Sequence, residues 1–106
     1  MNQKNKLEEM QILEQNLQNL LYQKQAFQME LSEMQASMKE IEESKDDVFK
    51  IVGQLMIKSD KKKILEELSN KEKLLSLRIK SIEKQENSFL EKIESLKQEV
   101  LGKEKE

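Results

Sequence analysis

The sequence predicts a mostly α protein, an antiparallel two-helix coiled-coil hairpin with one short β-hairpin between the helices. Three observations carry that expectation. Two long stretches hold an apolar repeat of 3.5 residues. The composition changes abruptly around Gly53, one of only two glycines in 106 residues. The two stretches are also nearly equal, with 32 residues from Met10 to Ile41 and 36 from Leu65 to Val100.

The first helix is expected over residues 6–44. Its 3-4 spacing runs through Met10, Leu13, Leu17, Leu20, Lys24, Phe27, Leu31, Met34, Met38 and Ile41, and nine of these ten are apolar. The residues between them are mostly Gln, Glu, Asn, Ser and Lys. A repeat held for more than four heptads marks a coiled-coil seam and not one face of a globular helix.

At residues 48–58 four β-branched residues and Phe49 crowd together: Val48, Phe49, Ile51 and Val52, then Leu55, Met56 and Ile57. Gly53-Gln54 between the two runs suits a two-residue type II′ turn, which wants glycine first. Val48 and Val52 point to one face and Phe49 and Ile51 to the other, so a lone chain cannot cover both. Residues 48–58 therefore ask for other subunits.

Ser59-Asp60 forms a natural N-cap for a second helix over 60–101. Its seam is Leu65, Leu68, Glu72, Leu75, Ile79, Ile82, Glu86, Phe89, Ile93, Leu96 and Val100, nine of eleven apolar. Gly102 is read as the helix stop, which leaves 102–106 as a frayed tail.

The competing architecture is one unbroken helix of about a hundred residues. Val48, Val52 and Leu55 continue the first heptad phase, and no proline interrupts. Against it, the next seam positions would be Ser59, Lys62 and Glu66, Asp46-Asp47 suits a loop better than a helix C-terminus, and equal arms favour folding back. In the folded-back form, facing residue numbers that add to about 110 place Lys24 beside Glu86, so two of three charged seam residues share a layer.

Composition excludes much chemistry. With no Cys and no His, there is no disulfide framework, thiolate nucleophile, imidazole base or usual zinc site. Both glycines stand alone, so no phosphate cradle exists. Glu8-Glu9, Glu42-Glu43 and Glu66-Glu67 are neighbours about 100° apart on a helix and do not converge on one site. No enzyme activity, cofactor or metal is expected. The 19 basic and 21 acidic residues are interspersed, which argues against nucleic acid as a partner. Lys61-Lys62-Lys63 is read as a surface patch whose charge opposes the helix dipole at a cost of a few tenths of a kcal/mol. Acidic residues follow the first lysines too soon for a secretory leader, and no apolar stretch reaches membrane-spanning length. A soluble, cytoplasmic protein without a membrane partner is the expectation.

The central segment, Asp46-Asp47-Val48-Phe49-Lys50-Ile51-Val52-Gly53-Gln54-Leu55-Met56-Ile57-Lys58, resembles the acidic linker and paired strands of the prefoldin family, in particular its short archaeal β-type subunits. Lys63 to Leu68, Arg78 to Glu86 and Tyr22-Gln23-Lys24-Gln25 are also similar to that family, and the likeness covers almost the whole chain. One departure is the linker proline that many relatives carry and this chain lacks. The resemblance implies a hexamer of two α-type and four β-type subunits. In it, β-hairpins assemble into intersubunit β-barrels and coiled coils hang free. It also implies a chaperone, an ATP-independent holdase that captures unfolded proteins between the coiled-coil tips and delivers them to a group II chaperonin. The implied partners are an α-type prefoldin subunit, other copies of this chain, unfolded clients and the chaperonin.

Near the free ends, Leu7, Ile12, Leu90 and Leu101 lie outside the seam, beside Met10, Leu13, Ile93, Leu96 and Val100 within it. A splayed tip would expose the whole set to a client, each Leu or Ile adding about 1.5–3 kcal/mol when fully buried. Leu74 and Leu77 are off-seam too, nearer the other end, so off-seam leucine is not unique to the tips. The alternative function is a structural coiled-coil scaffold or tether with the apolar centre as its core.

Overall fold

The structure is a computed structural model that describes residues 3–105, with side chains from 4 to 102. Four elements follow in order: helix α1 (Gln3–Glu43), strands β1 (Val48–Val52) and β2 (Leu55–Ser59), and helix α2 (Lys61–Lys105). The unbroken-helix alternative is thereby excluded. Both helices are rich in Leu, Gln, Glu, Lys and Met, strong helix formers, and neither contains proline.

Every expected seam position of both helices is buried or half-buried. The exposed positions between them carry the Gln, Glu, Lys and Ser that separate the repeat in the sequence.

The chain divides into two compact units. One joins α1 through Ala26 with α2 from Ile79 onward. Its core is Leu13, Leu20, Ile79, Ile82 and Val100. Lys6 Nζ lies 3.0 Å from Glu99 Oε2, and Lys24 Nζ lies 2.7 Å from Glu86 Oε1. Numbers rise along one helix as they fall along the other, so the two segments run antiparallel. The second unit is Phe27–Arg78. Leu75 is its buried centre, the Arg78 guanidinium sits 5.9 Å from the Phe27 ring centroid, and the β-hairpin lies within it.

The Lys24–Glu86 pair matches the expected layer. The two side chains are 21% and 15% exposed. Glu86 Oε1 has no hydrogen-bond partner despite the short approach, so the contact is coulombic and poorly aligned. Its worth lies in what it forbids. A one-step slip would set Lys24 against Ile82 and leave each charge facing an apolar side chain. Lys24→Met alone should destabilise by about 1–2 kcal/mol in urea unfolding, because Glu86 is then left partly buried and unanswered. Lys24→Met with Glu86→Leu should recover wild-type stability or exceed it. A single variant as stable as wild type would show that the pair carries no register information. Nothing in the structure explains Glu72, the remaining charged seam residue, which is half-buried.

The hairpin turn has its expected chemistry. Val52 pairs with Leu55 across Gly53-Gln54. Gly53 has φ +62°, and no other described residue has a positive φ. One positive φ, at the first turn position, identifies type II′, since type I′ would require it at both. A Cβ at Gly53 would meet nothing within 4 Å, so substitution is opposed by backbone conformation alone. Gly53→Val should cost about 1–2 kcal/mol locally, read as roughly tenfold faster hydrogen exchange in β1 and β2.

Most boundaries differ from expectation by one to three residues, with α1 at Gln3–Glu43 instead of 6–44, β2 ending at Ser59 instead of 58 and α2 starting at Lys61 instead of 60, and the largest difference is at the far end of α2. α2 does not stop at Gly102 but continues to Lys105. Gly102 lacks the left-handed φ that a glycine stop uses. A single helical glycine costs only about 1 kcal/mol relative to alanine. The expected frayed tail at 102–106 is therefore helical through Lys105, and its last residue lies outside the described ones.

Candidate functional site

Two surfaces stand out, and neither is a catalytic pocket. The first is the β-hairpin. Its register is Val48 with Ser59, Phe49 with Lys58, Lys50 with Ile57, Ile51 with Met56, and Val52 with Leu55. Directly paired residues share a face. One face therefore carries Val48, Val52, Leu55 and Ile57 around Lys50. The other carries Phe49, Ile51 and Met56 beside Lys58. Val48 is half-buried, and the remaining six apolar side chains are exposed, Ile51 most of all at 73%.

A two-stranded sheet has two free edges and is marginal alone. Here each strand carries one lysine, and each lysine has an acidic partner. Lys50 Nζ lies 3.1 Å from Glu67 Oε2 on α2, and Lys58 Nζ lies 3.4 Å from Asp47 Oδ2 in the loop before β1. The ties are solvent-exposed and individually weak, worth about 0–1 kcal/mol each. Their effect is to occupy the hairpin's two cations and leave its uncharged surface as the free one.

The second surface is the tip. Leu7, Ile12, Leu90 and Leu101 are exposed, Met10, Ile93 and Leu96 are half-buried, and Leu13 and Val100 are buried. Among these nine residues only the four off-seam ones are fully presented to a partner with the helices packed. Leu13 and Val100, and the covered parts of Met10, Ile93 and Leu96, become available only if the helices part. Lys6, 13% exposed, closes the end through Glu99.

The junction beneath the hairpin holds a residue whose role the sequence reading missed. Lys61 is not a free member of a basic patch. Its Nζ donates to the carbonyl oxygens of Glu42 at 2.9 Å and Ser44 at 2.8 Å. Those carbonyls belong to the end of α1, where helix geometry leaves acceptors without partners. Asp60 does cap α2 as expected, with Oδ1 accepting from the Lys62 amide at 3.2 Å and the Asp60 carbonyl taking the first helical bond, from Ile64, at 3.0 Å. The available signal for Lys61 was a pair of wrong-signed helix ends, acidic on α1 and basic on α2, which antiparallel packing brings together.

Among the described residues no helix is long and apolar enough to cross a membrane.

Comparison with known proteins agrees with this geometry. The sequence profile of the family described as "Prefoldin subunit" matches residues 4–104. Prefoldin subunit beta of Thermococcus onnurineus is 39% identical over 89 residues, covering 82% of this chain and 77% of that protein. Prefoldin subunit beta of Methanothrix thermoacetophila is 37% identical over 98 residues, covering 91% and 82%. The crystal structure of the prefoldin β subunit from Thermococcus strain KS-1 superposes with a TM-score of 0.89 at 34% identity, covering 94% of this chain and 90% of that one. Fold and surface together define a two-helix protein with an apolar β-hairpin set between its helices. The chain belongs to the prefoldin subunit family, a family of chaperone subunits and not of enzymes. The match over residues 4–104 agrees with the resemblance read over almost the whole chain.

Proposed function

We propose that this chain is the β-type subunit of a hexameric, ATP-independent holdase. The observation that carries the reading is the hairpin, with six exposed apolar side chains on two faces of one small sheet. Scattered surface hydrophobes are ordinary, but a contiguous two-faced cluster on a sheet with open edges marks an interface. In this reading residues 48–58 join α-type subunits and further copies of this chain into β-barrels, in a hexamer of two α-type and four β-type subunits. Leu7, Ile12, Leu90 and Leu101 hold unfolded segments first. Met10, Leu13, Ile93, Leu96 and Val100 add to the hold where the tip opens. Each contact is weak and not sequence-selective, and several copies acting together supply the affinity. Release of the client to a group II chaperonin completes the cycle.

Light scattering of a chemically unfolded client, with and without this chain assembled on an α-type subunit, tests the proposal. The holdase suppresses the scattering without ATP. A structural scaffold or tether leaves the curve unchanged.

A further inference from the structure

We infer that Lys61 is a positioning residue for assembly, a clamp across the helix ends that fixes how the β-hairpin is held on its base. The inference rests on the reading of the hairpin as the assembly surface. The segment between α1 and β1 has little of its own to hold it. Among the described residues, Asp46 is tied by its amide to Ser44 Oγ at 3.2 Å, and Asp47 by its carboxylate to Lys58. Ser44 makes the last α1 turn through bonds from its amide to the carbonyls of Glu40 at 3.0 Å and Ile41 at 3.3 Å. Beyond that turn, helix geometry leaves the last carbonyls without an intrahelical donor. Its last turn has no basic residue but carries Glu40, Glu42 and Glu43, negative charge at the negative end of a dipole. The first turn of α2 has the opposite fault, with no acidic residue and three lysines at the positive end. Apart from the Asp60 cap, each end is wrong for its own helix and right for the other.

Lys61 makes that exchange physical. It is half-buried, whereas Lys62 and Lys63 are exposed. One ammonium serves two carbonyls on either side of the α1 terminus. Because Lys61 is also the first residue of α2, the clamp ties the point where the chain leaves for the hairpin to the point where it returns. A lysine free in solvent would do neither. Charge-assisted bonds of this length are about twice as strong as neutral ones. Without them the hairpin keeps its own ladder and the weak, exposed Lys50–Glu67 tie, but both of its connections loosen.

The test compares Lys61→Met, which keeps the aliphatic stem and loses the donors, with Lys61→Arg, which keeps donors. In Lys61→Met, circular dichroism should show wild-type helicity, hydrogen exchange at the Ser44 and Asp46 amides should quicken about tenfold, and the concentration midpoint for assembly with an α-type subunit should rise about tenfold. Lys61→Arg should stay within a few-fold of wild type on both readings. Faster exchange with an unchanged assembly midpoint would overturn the positioning role, and unchanged exchange would overturn the clamp itself. Ile51→Asp is run alongside. If that variant assembles normally, the hairpin is not the assembly surface, and this failure is distinct from that of the clamp, which the exchange measurement decides on its own.

Discussion

An Ile51→Asp chain should keep its helices and lose the ability to form a hexamer. Ile51 is 73% exposed in the single subunit, so the change removes little packing. Substitutions at such sites alter stability by about 0.5 kcal/mol, or up to about 1 where a strand preference is lost. In the proposed assembly the same position would lie among neighbouring strands, where an unpaired carboxylate costs several kcal/mol. The hairpin's own two cations are already engaged, Lys58 by Asp47 and Lys50 by Glu67. At about 1.4 kcal/mol per tenfold, the association constant should fall by a factor on the order of a thousand. With an α-type subunit present, sedimentation should show small species at concentrations where the wild type gives the proposed hexamer, with far-ultraviolet dichroism unchanged. A full hexamer would remove residues 48–58 as the assembly surface.

That expectation was legible in the sequence because it rests on local chemistry. Gly53 permits one turn, the turn sets the register, and the register assigns Phe49, Ile51 and Met56 to one face. The helices were legible for a related reason, since a 3.5-residue repeat names its own buried positions, charged ones included. Lys24 beside Glu86 followed from matching two such repeats end to end. The parts that escaped depend on what a residue meets far along the chain. Gly102 looks like a stop when read alone, yet glycine stops a helix only in the left-handed conformation, which it does not adopt here. Lys61 looks like one of three solvated lysines, yet its partners are 17 and 19 residues away. The repeat also sorted the tip, where seam Leu13 is buried and off-seam Leu7 is exposed; what it did not give is that Met10, Ile93 and Leu96 of the same seam stay only half-buried.

This distinction between exposed and buried tip residues allows the client-binding proposal to be divided experimentally. Changing Leu7, Ile12, Leu90 and Leu101 together to Ser leaves every seam residue in place. All four are exposed, so each change should move stability by no more than about 0.5 kcal/mol. The hexamer should assemble normally, because residues 48–58 are untouched. Client capture should not survive intact. A leucine or isoleucine fully covered by a client contributes about 1.5–3 kcal/mol, and even partial coverage at several copies multiplies through avidity. Suppressing the same light scattering should therefore take at least about tenfold more hexamer, equivalent to about 1.4 kcal/mol. Removal of residues 1–12 and 97–106 provides the second arm, since it also takes Met10, Val100 and the Lys6–Glu99 closure. If the Ser variant holds clients normally and the truncated chain does not, capture works through the opened seam and the off-seam leucines are incidental. If both lose capture, the exposed set makes the first contact. If both protect clients as well as the wild type, clients are held elsewhere and the tip proposal is wrong.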